Sequence, residues 1–267
     1  MINNKLIYQV DSFTNEVFKG NPAAVMIVSE SETSAWMQKI ANEMNLSETV
    51  FIIPTKASFS IRYFTPIREV PLCGHATLAA AHILYELGYK TKNERIEFES
   101  KAGKLVIENL NDTIVMNFPK YHIDRIEVNE QFKNCVGFEP IEMYKSDYDW
   151  VIAVAKNEQE IINAKPKFEL LTQHNLGHLM ITSESKLTDT DFVVRCFAPS
   201  SGINEDPVTG SAYCGLTPLW SEKLNNKIEL KSIQLSERTG IVNVALNGDK
   251  VEIRGEAITV FTAKLHD

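Results

Sequence analysis

Four side chains in this sequence have types and settings suited to moving a proton at carbon: Glu48, His75, Asp206 and Ser211. Glu48 stands in NLSETVFII, just past a helix-like segment and at the entry to an apolar strand. A carboxylate between Leu46 and Val50 is set for partial desolvation, which raises its pKa from about 4.3 towards neutrality and suits a general acid–base. A plain helix-to-strand turn is the alternative reading of Ser47-Glu48-Thr49. His75 follows Gly74, and its reference pKa of about 6.5 permits both protonation states near neutrality; the alternative is an imidazole that caps a helix. Asp206 could orient His75, hold a substrate amine or hydroxyl, or satisfy backbone donors at a helix start. Ser211 follows Gly210 as His75 follows Gly74.

These residues sit in a repeat. EVPLCGHA at 69–76 and EDPVTGSA at 205–212 lie 136 positions apart and share Glu, Pro, Gly and Ala. RYFTP at 62–66 and RCFAP at 195–199 are offset by 133, and AGKLVIENLND at 102–112 and TGIVNVALNGD at 239–249 by 137. One unit is used twice. In each copy a Gly, a polar residue and an Ala open a helix, whose free N–H groups and dipole favour an anion. Gly74, Ala76, Gly210 and Ala212 are therefore the expected substrate-binding positions, holding a carboxylate or steadying an enolate without a metal. The copies differ at Val70 against Asp206, Cys73 against Thr209 and His75 against Ser211. A threonine hydroxyl cannot act as a thiol would, so a symmetric two-thiol epimerase mechanism is not available.

The elements that must position these groups follow from periodicity. Strands are expected at 6–13, 23–28, 48–53, 58–65, 104–110 and 112–118, each β-branched or aromatic and bounded by Gly, Asn or Pro. SAWMQKIANEMN at 34–45 is an amphipathic helix. HATLAAAHILYEL at 75–87 is apolar nearly all round, the mark of a buried helix, with Gly88 as its stop. The second half repeats this order, with strands at 149–155, 178–183, 191–197, 240–246 and 250–255 and helices near 167–174 and 211–223. Pro218 should kink or shorten the last of these. The expected fold is α+β, two lobes at 1–120 and 121–267, each a central helix wrapped by strands.

Composition narrows the classes of function. The 267 residues carry a net charge of −8, from 27 basic and 35 acidic residues, and no basic run marks a nucleic-acid binder. No apolar stretch is long enough to span a membrane. MINNKLIYQVDSF enters a strand-like pattern without the regions of a signal peptide. The four cysteines show no C-x-x-C pair and no metal-ligand spacing with histidine. A reduced, cytoplasmic protein without nucleic-acid or membrane partners is expected. Dinucleotide, Walker, nucleophile-elbow and kinase motifs are missing.

The residues QVDSFTNEVFKGNPAAV at 9–25, NLSETVFI at 45–52, RYFTPIREVPLCGHATLAAAH at 62–82 and RCFAPSSGINEDPVTGSA at 195–212 resemble the PhzF family of phenazine-biosynthesis-like isomerases nearly end to end. The resemblance implies the diaminopimelate-epimerase-like fold, two pseudo-symmetric lobes with a cleft between them, assembled as a homodimer. It implies an active site free of metal and of cofactors. On it, Glu48 is the proton shuttle, and His75, Asp206 and Ser211 position the substrate and assist proton movement. The best-known member moves a proton between ring carbons of a dihydro-hydroxyanthranilate, so that an enol becomes a ketone. Epimerase relatives carry a Cys before the Gly in both halves; here Thr209 replaces the second. That departure favours a one-base shift on a small carboxylate-bearing molecule, whose identity the sequence does not give. An amino-acid epimerase or racemase using Cys73 with another second base, and a non-catalytic binding protein on the same fold, stay open.

Overall fold

The computed structural model describes residues 5–266. It is a mixed α/β structure, rich in strand and with few helices. Its described residues fall into two compact units, residues 5–117 with 254–266, and Phe118–Ile253. The expected second lobe extends to residue 267. The C-terminal strand Ala257–Lys264 instead lies antiparallel along Leu6–Ser12, so the chain end counts with the first unit.

In the first unit, Leu6–Ser12 also pairs antiparallel with Asn21–Ile27. Asn21–Ile27 then pairs parallel with Glu48–Pro54, and Glu48–Pro54 antiparallel with Phe59–Phe64. Phe59–Phe64 pairs parallel with Ile96–Ser100, which is antiparallel to Gly103–Leu110. Parallel neighbours need a crossover, supplied here by the helices Ser34–Met44 and Gly74–Glu86. The second unit runs through the same series. Glu142–Ser146 and Val151–Val154 are antiparallel, Val151–Val154 and Leu179–Glu184 parallel, and Leu179–Glu184 and Phe192–Ala198 antiparallel. Phe192–Ala198 and Glu229–Gln234 are then parallel, and Glu229–Gln234 and Gly240–Asn247 antiparallel.

The helices owe their place to burial. Gly74–Glu86 buries nearly every residue from His75 to Tyr85, and Gly88 closes it at φ +72°. Its counterpart opens differently from the expected helix at 211–223. Gly210–Ala212 form a 3₁₀ turn, and the α-helix proper is Tyr213–Lys223. Pro218 does not end that helix. The carbonyl a proline leaves without a donor is the one four residues back, and the Cys214 carbonyl accepts instead from the Tyr121 N–H at 3.0 Å.

Within each unit the repeated motifs are joined to each other. Arg62 donates from Nε and Nη2 to the two carboxylate oxygens of Glu69, at 2.8 and 2.9 Å. Arg195 holds Glu205 the same way, both bonds 2.8 Å. Each guanidinium also lies 5.1 Å from a phenylalanine ring, Phe64 and Phe197 respectively. Such forked, charge-assisted pairs fix geometry as well as adding energy. The Arg-x-Phe and acid-x-Pro motifs are thus one device, a clamp on the segment that leads into each helix start.

Candidate active site

In the first unit three of the singled-out residues come together. Thr33 caps helix Ser34–Met44, and Asn45, left-handed at φ 51°, turns the chain into the strand that begins at Glu48. Glu48 is half-buried, beside Ala23 of the parallel neighbour. His75 lies in the first turn of Gly74–Glu86 and is buried, with Cys73 just ahead of that helix. Glu48 Oε2 is 3.4 Å from His75 Nε2, and Cys73 Sγ is 3.4 Å from His75 Nδ1.

Two residues that sequence reasoning missed complete this group. The Asn21 side-chain amide lies 3.2 Å from His75 Nδ1. Ser47 Oγ lies 3.4 Å from both His75 Nε2 and Asn21 Oδ1. Only one assignment of protons satisfies all of them. The Asn21 N–H donates to Nδ1, Nε2–H donates to Ser47 Oγ, and the Ser47 hydroxyl donates to Asn21 Oδ1. The ring of hydrogen bonds closes on a neutral imidazole whose Nε2–H also faces the Glu48 carboxylate. A further bond, from Ser12 Oγ–H to the His75 carbonyl at 2.8 Å, ties the helix start to the first strand.

Burial pushes the His75 pKa down to about 3, because the imidazolium loses its hydration there. With the pKa held that low, the ring stays neutral near pH 7 and serves as a hydrogen-bond donor and acceptor there. The sign of the consequence is definite. Between about pH 6.5 and 3 the unfolded chain holds a proton on this ring that the folded chain does not. Stability is therefore fully present above 6.5 and falls with pH through that window by up to about 1.4 kcal/mol per unit. Urea unfolding of the wild type against His75→Asn should show a shallower acid slope in the variant. Ring ¹⁵N shifts should report the Nε2–H form unchanged from pH 7 to 5.

In the second unit Asp206 Oδ2 accepts from the Thr209 hydroxyl at 2.6 Å. Buried Gln234 braces the same turn, its amide donating to the Asp206 carbonyl at 2.7 Å and its Oε1 accepting from the Thr209 N–H at 3.0 Å. Thr209, read as the counterpart of Cys73, is thus spent on holding Asp206. Ser211 is exposed on the 3₁₀ turn between buried Gly210 and buried Ala212. Gly74 is half-buried and Ala76 buried, both in the first turn of their helix.

Residues 10–263 match the sequence pattern of the family described as Phenazine biosynthesis-like protein, PhzC-PhzF. The chain belongs to the phenazine biosynthesis-like family. An uncharacterized isomerase of Halalkalibacterium halodurans is 44% identical over 261 residues, 97% of either chain. A solved PhzF family protein of Enterococcus faecalis matches with a TM-score of 0.93 at 35% identity, over 98% of this chain and 99% of that one. A hydroxyproline epimerase of Agrobacterium vitis, 11% identical, matches with a TM-score of 0.62 over 99% and 93%; at that identity the likeness concerns the fold alone. Full-length isomerase relatives place this phenazine biosynthesis-like chain among the isomerases. Among the described residues no helix is long and apolar enough to cross a membrane.

In this family member the missed residues had faint signals. Ser12 and Asn21 both lie in the block at 9–25 that carries the resemblance, and Ser47 directly precedes Glu48. Nothing local singles them out. Asn21 meets His75 across 54 residues of chain.

Proposed function

We propose that this phenazine biosynthesis-like protein is a cofactor-independent isomerase that moves a proton on a small carboxylate-bearing substrate, with Glu48 as the acid–base. The observation that carries the reading is the Glu48 carboxylate beside the Nε2–H of a buried, neutral His75. A neutral donor orients the carboxylate without the counter-charge that would weaken it as a base. Glu48 takes the proton as a C–H bond breaks, the electron pair moves into an enol-type intermediate, and Glu48, its carboxyl proton exchanging with solvent, delivers a proton to a second carbon. Asp206, braced by Thr209 and Gln234, and Ser211 orient the substrate. The N–H groups at Gly74, Ala76 and Gly210 take its carboxylate; the Ala212 N–H, expected to do the same, already donates to the Thr209 carbonyl at 3.1 Å. Two pseudo-symmetric, diaminopimelate-epimerase-like lobes, a homodimer and a cytoplasmic location belong to the same reading. The common series of strand pairings and the paired Arg–Glu clamps support the first of these.

Cys73 beside His75 keeps an amino-acid epimerase as the second reading. Turnover of cyclic and linear hydroxy- or amino-carboxylates in ²H₂O, followed by NMR, separates the two. A single deuterium at the newly protonated carbon is expected. Deuterium at the α-carbon of both stereoisomers, abolished by thiol alkylation, would establish the epimerase instead.

A further inference from the structure

We infer that Glu48, Cys73 and His75 form a reversible binding site for a borderline-soft divalent cation, Zn²⁺ foremost, that shuts the centre down when occupied. The binding itself is independent of the isomerase reading; only the inhibition rests on it. Each of the three residues offers one ligand atom, and these atoms lie within 4.8 Å of one another. Zinc bonds of about 2.0 Å to nitrogen or oxygen and 2.3 Å to sulfur, in a tetrahedron, set neighbouring ligand atoms about 3.3–3.5 Å apart. Cys73 Sγ and His75 Nδ1, at 3.4 Å, already have that spacing. Glu48 approaches the ring from the Nε2 side, its Oε2 3.4 Å from that nitrogen, so a side-chain torsion must bring the carboxylate round to the metal.

The donor chemistry selects the metal. One thiolate, one imidazole and one carboxylate suit Zn²⁺ with a fourth position open, whereas Mg²⁺ and Ca²⁺ call for oxygen ligands throughout. The outer partners are also in place. With Nδ1 on the metal, Nε2–H keeps Ser47 Oγ, at 3.4 Å, as the acceptor that fixes the ring. The Asn21 amide gives up its bond to Nδ1, and its Oδ1 keeps Ser47. Binding forms the Sγ–Zn bond and releases the thiol proton to solvent. Cys73 and Glu48 are half-buried, while Cys135, Cys196 and Cys214 are buried. A carboxylate engaged by the cation cannot accept a proton from carbon.

The test uses the full chain in its reduced form, with Co²⁺ as a spectroscopic probe and Zn²⁺ in calorimetry. One equivalent of Co²⁺ should produce a thiolate-to-cobalt charge-transfer band and the intense visible bands of a tetrahedral site, displaced by Zn²⁺. Cys73→Ser should abolish the charge-transfer band and weaken Zn²⁺ binding at least tenfold. Glu48→Gln should weaken it at least tenfold with the band retained, and it decides the matter if the serine variant does not fold. Mg²⁺ should not compete. Absence of the band in the wild type, or Zn²⁺ affinity unchanged in Glu48→Gln, overturns the proposal whatever the turnover results show.

Discussion

Glu48→Gln is expected to lower kcat by about 10²–10⁴ with KM changed no more than a few-fold. Glutamine keeps the length and planarity of the side chain, and its carbonyl can still accept from the His75 Nε2–H, so the surrounding hydrogen bonds and the melting temperature should hold. What disappears is the basic oxygen. Steady-state kinetics on any substrate identified by deuterium wash-in, with thermal unfolding as the control for folding, makes the comparison. Wild-type turnover in this variant would remove Glu48 from the role assigned to it.

A backbone change should produce the largest loss of stability. Gly20 sits at φ +63°, and a Cβ there would lie 2.1 Å from the Ser12 carbonyl oxygen and 2.8 Å from Thr14 Cγ2. An alanine must both adopt a left-handed conformation and push a strand carbonyl aside, so Gly20→Ala should cost about 2–4 kcal/mol. At roughly 2–4 °C per kcal/mol for a chain of this size, the melting temperature should drop by about 5–15 °C. The loss should reach the site as well. Ser12 donates to the His75 carbonyl, and Asn21, the next residue after Gly20, bonds the His75 ring. Activity measured well below the melting transition should therefore still be reduced. Gly88→Ala serves as the comparison. Gly88 is also left-handed, at φ +72°, but nothing lies within 4 Å of its Cβ position, so only the conformational cost of about 1 kcal/mol applies. A Gly20→Ala protein as stable as Gly88→Ala would show that the loop gives way easily.

Much of the fold was legible because burial leaves a period in the sequence. The six first-half strands expected from apolar runs are present within two residues of their bounds, and the mostly apolar 75–87 segment is the buried helix Gly74–Glu86. Ile96–Ser100 was passed over because IEFES carries two glutamates and no apolar run. It is a strand because Phe59 and Phe98 come side by side in a parallel pair. Glu229–Gln234 is likewise hidden, since ELKSIQ sets Glu, Lys, Ser and Gln around single apolar residues. The C-terminal strand escaped notice because its partner lies at the other end of the chain.

The sequence by itself determined the repeat, the family, the identity of Glu48, His75, Asp206 and Ser211 as the groups to watch, and the positions where the two copies part. All of these are statements about order along the chain, and order is what a sequence contains. Only the tertiary structure decided that His75 is buried, that Asn21 and Ser47 bond its two ring nitrogens, and that Cys73 lies against the same nitrogen as Asn21. Those outcomes depend on burial and on contacts such as Asn21–His75, made across more than fifty residues. Desolvation sets a protonation state only after the chain has excluded water, and no local pattern around a histidine records how completely that happens.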